Sequence, residues 1–131
     1  MLEVFIDGAS AGNPGESGIG IFIRGEGYLD KVSEHAGILD NHTAEFTALL
    51  RGIEEAAKRT TGLVSVRSDS KAVVSAVEKR YAKNPVHRDL LERALAISDG
   101  FDFLFIKWIP DEENRAADAL AREGIRKACS F

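Results

Sequence analysis

A chain of 131 residues, 44% hydrophobic and 29% charged, has the size and balance of one soluble domain, expected to span residues 1–131 and to bury a real core. Its net charge of −4 excludes a broadly basic surface that would hold any nucleic acid tightly, and its apolar runs are too short for a membrane span. With no secretory leader at the start and one cysteine, Cys129, a reducing, cytoplasmic setting without internal disulfides is expected.

The first 38 residues read as strands. "LEVFIDG" is short and mostly apolar, as a central strand buried on both faces would be. "SGIGIFIRG" alternates as a second strand, and "GYLDKVSEHAGI" is a third and more solvated one, joined through the glycines of "RGEG". From Thr43 to about Arg59 the pattern changes: Phe46, Leu49, Leu50, Ile53 and Ala57 fall on one stripe of an amphipathic helix. "LVSVRS" is a short strand, "DSKAVVSAVEK" a helix opening on Asp and Ser, and "NPVHRDLLERALAIS" a helix that accepts Pro85 in its first turn. "FDFLFIKWI" is the last strand, stopped by Pro110, and "EENRAADALAREGIRK" a closing helix rich in alanine. The order β-β-β-α-β-α-α-β-α predicts an α/β protein with a mixed sheet and helices on its faces.

Four acids stand out. Asp7 ends the first strand, and Asp69 directly follows the fourth. If those strands are parallel neighbours, both acids lie at the carboxyl ends where open α/β sheets place their chemistry. Glu45 lies one residue off the first helix's apolar stripe, and Asp118 one residue off that of Ala117, Leu120 and Ala121, about 100° of helix. Three of the acids also have an ordinary explanation: a cap or turn for Asp69, dipole compensation for Glu45, a solvated charge for Asp118. Only Asp7, in a nearly all-apolar strand, resists one.

"IDGASAGNPG", "NHTAEFTALLRGIEEA", "RSDSKAVVSAV" and "WIPDEENRAADALARE" resemble, in order and over nearly the whole chain, the four motifs of ribonuclease H type 1. That resemblance implies an RNase H-like fold with a five-stranded mixed sheet, and hydrolysis of the RNA strand of RNA–DNA hybrids. It also implies two Mg²⁺ ions per site, with Mn²⁺ as a substitute, and Asp7, Glu45, Asp69 and Asp118 as the catalytic, metal-binding acids. Magnesium's preference for hard oxygen ligands suits such a set. Four crowded carboxylates should hold protons more tightly without metal. Ser10, Asn13 and Asn41 match positions that contact the hybrid near its minor groove, where 2′-hydroxyls mark RNA. Gly8 would let the nucleic acid approach, and Ser70 would touch substrate beside Asp69. Asn114 either orients the site or caps the last helix. The expected partner is a nucleic acid hybrid, with no membrane association and a monomeric state.

The chain departs from the family in two places. The loop "WIPDEEN" lacks the mobile histidine that many members carry; His35, His42 and His87 are expected to be surface or capping residues, and Glu112 is the candidate stand-in. No room is expected for the basic protrusion that several members carry between the second helix and the last strand, although "KRYAKNPVHRD" offers Lys79, Arg80, Lys83 and Arg88, and no hybrid-binding domain is expected before Met1. Weak, salt-sensitive hybrid affinity is therefore expected. The alternative is a catalytically weak RNase H-like module that binds nucleic acid or protein.

Overall fold

The structure is a computed structural model that describes residues 1–127; Cys129 lies outside the described residues. Three antiparallel strands come first: β1 (Leu2–Ser10), β2 (Gly15–Gly25) and β3 (Tyr28–Leu39). After them come α1 (Asn41–Ala57), β4 (Leu63–Ser68), α2 (Lys71–Lys79), α3 (Pro85–Ser98), β5 (Phe103–Trp108), a 3₁₀ turn at Asp111–Glu113, and α4 (Arg115–Arg126). The sheet order is β3-β2-β1-β4-β5, with β4 parallel to both β1 and β5. The element order and mixed sheet are those expected from the sequence. No described helix is long and apolar enough to cross a membrane.

Alternation along each strand divides the sheet into two faces. Val4 and Ile6 of β1, Ile21 and Ile23 of β2, and Val64 and Val66 of β4 pack with Phe46, Leu49 and Ile53 of α1 and Leu91 of α3. On the other face Phe5 packs with Ile109 and Ala117, with Phe22 against them. β1 and β2 both run further into the glycine-rich segment than its small residues suggested, because Ala9–Gly18 and Ser10–Ser17 continue the ladder. At the end of α1 the expected stripe fails by one position: Ala56 is buried and Ala57 exposed. The helix is covered by α3 as well as the sheet, so its buried arc is wider than one stripe and turns toward Ala56.

Helix ends are fixed locally. Asp40 caps α1 by accepting from Thr43 N at 2.7 Å, Ser70 caps α2 through Val73 N, and Asn84 caps α3 through Val86 N and His87 N. These side chains satisfy first-turn amides that have no helical partner.

An ion network ties α1 to the edge strand β3. Arg51 meets Glu34 at 2.9 Å and Arg59 meets Asp30 at 2.9 Å. Between them the nearly buried Glu55 receives Arg51, Lys58 and Arg59. Burial alone would raise the Glu55 carboxyl, but Lys58, Arg59 and Arg51 hold it down to about 2. A depressed carboxyl pKa stabilises the fold above its ordinary value, and that stability is lost as pH falls toward the folded value. Glu55→Gln should therefore cost about 1–3 kcal/mol at pH 7, less than a fully buried pair because the cations keep other partners and water. The gap from wild type should close between the ordinary carboxyl pKa of 4.5 and about 2; urea midpoints across that range measure it.

Candidate active site

β1 and β4 are parallel neighbours in register from Leu2–Val64 to Ile6–Ser68. Asp7 and Asp69 are the next residues on each, so both stand where the β1–β4 pairing ends. Against expectation Asp7 does not end its strand, because β1 runs on to Ser10 against β2. Asp118, in the first turn of α4, approaches from the face opposite α1. Asp7, Asp69 and Asp118 line one open cavity of about 520 Å³ with Gly8, Ser10 and Asn41. Glu45 stands half-buried beside it on α1 and acts on both Asp7 and Asp69.

The electrostatics are those of crowded acids. Burial pushes the Asp7 carboxyl well above the usual range, and Asp69, a hydrogen bond with Asp118 and the charge of Glu45 push it further. Glu45 is raised by burial and by Asp69, although Ser70 and His42 pull the other way. Asp69 is raised by burial first, with Asp111 and Asp118 adding and Asn114 opposing. A cation would relieve this crowding, and the site's donors are hard oxygens suited to Mg²⁺ or Mn²⁺. Among the described residues no three His, Cys, Asp or Glu side chains form a ready cage for one ion. That is compatible with magnesium, which keeps waters and uses few carboxylates together with substrate phosphates.

Other expected residues occupy defined places. Asn13 lies in the β1–β2 turn and its Oδ1 accepts from Asn41 N at 3.1 Å, fastening the turn to the start of α1. The Ser10 and Ser17 hydroxyls lie 2.7 Å apart, and both reach the Leu39 carbonyl. Ser70 is buried as the α2 cap. Gly8 lines the cavity, and its smallness also has a packing reason. A Cβ there would meet the backbone of Ala44 and Glu45, with Glu45 N at 2.6 Å. Its missing side chain lets α1, and Glu45 with it, approach Asp7. Gly8→Ala should shift Glu45 outward, costing about 2 kcal/mol in stability and about 100-fold in turnover, as denaturant melts and single-turnover assays would show.

Asn114 orients the site and does not cap α4. It occupies the N-cap position without a side-chain cap bond, and its Nδ2 donates to Ile6 O at 2.9 Å and to Asp69 Oδ2 at 3.3 Å. Two cavity residues escaped sequence reasoning. Asp111 adds a fifth acid, while the expected stand-in Glu112 turns to a different cleft. Arg122 pairs with Asp118 at 3.2 Å, and their four-residue spacing in a helix was the available signal. Among the histidines, His35 pairs with Glu16, and His87 bonds Thr43 and stacks on Phe46. His42 is exposed, as expected, and its Nδ1 lies 3.2 Å from Glu45 Oε1. Of the basic residues before and in α3, Arg80 pairs with Asp99 and Arg88 donates to the carbonyls of Ala82 and Lys83. Both are engaged in holding the local structure.

The Reverse transcriptase-like family matches residues 5–124. The Enterococcus faecalis protein EbsB is 38% identical over 97% of this chain and 96% of its own. Ribonuclease HI of Halobacterium salinarum is 32% identical over 97% of this chain and 65% of its own sequence. The crystal structure of that archaeal RNase H1 superposes with a TM-score of 0.88, covering 96% of this chain and 98% of the other. LC11-RNase H1 in complex with an RNA/DNA hybrid is 31% identical and superposes at 0.89, covering 98% and 99%. With four acids gathered where the β1–β4 pairing ends, on a fold shared over nearly its whole length, this chain belongs to the ribonuclease H family of hydrolases.

Proposed function

We propose that the chain hydrolyses the RNA strand of RNA–DNA hybrids with divalent cations held by Asp7, Glu45, Asp69 and Asp118. The observation that carries this is the convergence of Asp7, Asp69 and Asp118 on one cavity, with Glu45 behind it. Ions of the Mg²⁺ or Mn²⁺ kind, when bound as a pair, supply activation of the attacking water and stabilisation of the departing 3′ oxygen. The protein's own residues arrange the rest. Asn114 fixes the Asp69 carboxylate by donating to Oδ2, and Arg122 steadies Asp118 from the next helical turn. His42 stands beside Glu45 at the exposed start of α1, its Nδ1 3.2 Å from Oε1. That Asn41 and Ser10 line the same cavity supports contacts from them along a minor groove.

A protein of net charge −4 has little general attraction for phosphates, so binding rests on the site and falls as salt rises. The test uses a hybrid whose RNA strand carries a central block of 2′-deoxynucleotides. Cleavage should occur in the ribose segments and stop within the block, and turnover should fall by about tenfold or more between 50 and 200 mM salt. Cutting within the block at an equal rate would show that the 2′-hydroxyl is not read.

A further inference from the structure

α4 covers the β1–β3 end of the sheet's second face, and beside it lies a cleft of about 370 Å³ separate from the acid cavity. Phe5, Phe22 and Ile109 form its floor, while Arg24, Arg67, Lys107 and Arg115 stand around it. Glu112 and Glu113 also line it, so four cations face two carboxylates there, a positive balance in an acidic protein. Arg24 and Arg67 share one carboxylate, Glu3, at 2.9 and 2.5 Å, and their guanidinium carbons sit 5.0 and 5.3 Å from the Phe5 ring centre. Lys107 is the register partner of Arg67 on the neighbouring strand. Like charges directly opposite one another in a sheet are destabilising. Neither Lys107 nor Arg115 has an ion-pair partner among the described residues.

Three further observations point to a ligand. The first turn of α4 opens at this cleft with no side-chain cap, leaving amide donors and the positive end of the helix toward it. Arg67 Nε is buried without an acceptor. Asn114, 1% exposed and part of the cleft wall, has a buried Oδ1 without a donor. Buried polar atoms are nearly always paired, so this pair calls for an oxyanion to satisfy the arginine and an O–H or N–H to satisfy the amide. Arginine forks match phosphate oxygens, and the apolar floor suits a ring.

We propose that this cleft binds a 5′-phosphorylated nucleotide, its phosphate held by Arg67, Lys107, Arg115 and the α4 amides, its organic part lying on Phe5 and Phe22 and donating to Asn114. The phosphate can belong to a free mononucleotide or to the end of an oligonucleotide, and the two are distinguished by experiment. The site does not depend on catalysis by the acids.

Amide NMR of the full chain in EDTA, which keeps divalent ions off the acids, would be followed with AMP and with 5′-phosphorylated and 5′-hydroxyl DNA tetramers. A 5′-phosphorylated probe should shift the amides of Phe5, Arg67, Lys107 and Ala116 and spare Gly8 and Ser10. AMP binding would show that a free nucleotide suffices; binding of the phosphorylated tetramer alone would assign the site to a chain end. Lys107 and Arg115 are exposed, so the double variant Lys107→Glu, Arg115→Glu should fold, and it should bind at least about tenfold more weakly, as expected for lost charge-assisted hydrogen bonds. Equal binding of the 5′-hydroxyl tetramer, shifts centred on Gly8 and Ser10, undiminished binding by the double variant, or no shift with any probe at about 10 mM would each overturn the proposal.

Discussion

Replacing Asp7 by Asn is expected to leave about a thousandth or less of hybrid cleavage while making the metal-free protein harder to unfold at neutral pH. The first effect follows from removing one charged ligand at the centre of the four acids, where several kcal/mol of stabilisation of the reacting oxygens are at stake. The second follows from the sign of the Asp7 shift. Burial first, and then Asp69, Asp118 and Glu45, raise its carboxyl above the ordinary 3.8. The folded state therefore binds that proton more tightly than the unfolded chain does. The stabilisation is fully present below 3.8 and is lost as pH rises toward the folded value. Asn has the same shape and nothing to ionise, so the variant should gain about 1–3 kcal/mol at pH 7, a rise of several degrees in Tm, and should gain nothing near pH 3. Thermal melts in EDTA at several pH values, paired with single-turnover cleavage, measure both effects. A variant that cuts like wild type, or that melts lower at pH 7, would make Asp7 a structural residue.

Gly20→Ala should be the most damaging single methyl group in the chain. A Cβ at Gly20 would fall on the carbonyl oxygen of Ala117 and lie 2.5 Å from Ala121 N. These are backbone atoms, which cannot swing aside as a flexible side-chain end does. Gly18 faces the same helix, and Gly124 answers from α4, its missing Cβ leaving room for the Glu34 carbonyl and for Gly18 Cα. Helix and sheet touch here backbone to backbone. One added methyl must lift α4, at a cost of about 2–3 kcal/mol, toward the upper end for overpacking a tight interface. Asp118 follows Ala117 in the chain and rides on the same turn, so cleavage should also fall by about 100-fold, as a displacement near 1 Å would produce. Gly62→Ala is the control: its added carbon would meet only Thr60 Oγ1, at 3.4 Å, and both properties should hold within about 0.5 kcal/mol. Equal losses in the two variants would remove the packing explanation.

The strands, the helices and their order were legible because apolar spacing switches from alternation to helical stripes at residue 41 and back again. Asp7 and Asp69 could be brought together from chemistry alone, since each follows an apolar run and parallel strands align, although β1 runs on past Asp7 to Ser10. Glu45 and Asp118 could not. Their solvated-charge explanations were as good as any until resemblance to ribonuclease H singled them out, and it took coordinates to show α1 and α4 bringing them in from opposite faces. The glycines were partly legible. Gly18 and Gly20 alternate on one face of a strand, a known mark of close backbone approach, but which helix approaches is a tertiary fact. Gly8 was read as room for a ligand; that it is also room for α1 is a tertiary fact. Asp111 was hidden because a 3₁₀ turn after Pro110, and no periodic element, carries it to the cavity. The basic row Arg24, Arg67, Lys107 is scattered over three strands and becomes a row only when β2, β1, β4 and β5 align.

The most direct measurement is a strand-resolved cleavage assay on a hybrid labelled separately in each strand, with Mg²⁺, with Mn²⁺ and with EDTA, beside matched DNA–DNA and RNA–RNA duplexes. The RNA strand of the hybrid should be cut with either ion and left whole in EDTA, while the DNA strand and duplex DNA stay intact. Cutting of duplex DNA at a similar rate would make the chain a general nuclease on this scaffold. No cutting of any duplex with either ion would contradict catalysis by the four acids and leave a nucleic-acid or protein binding module in its place.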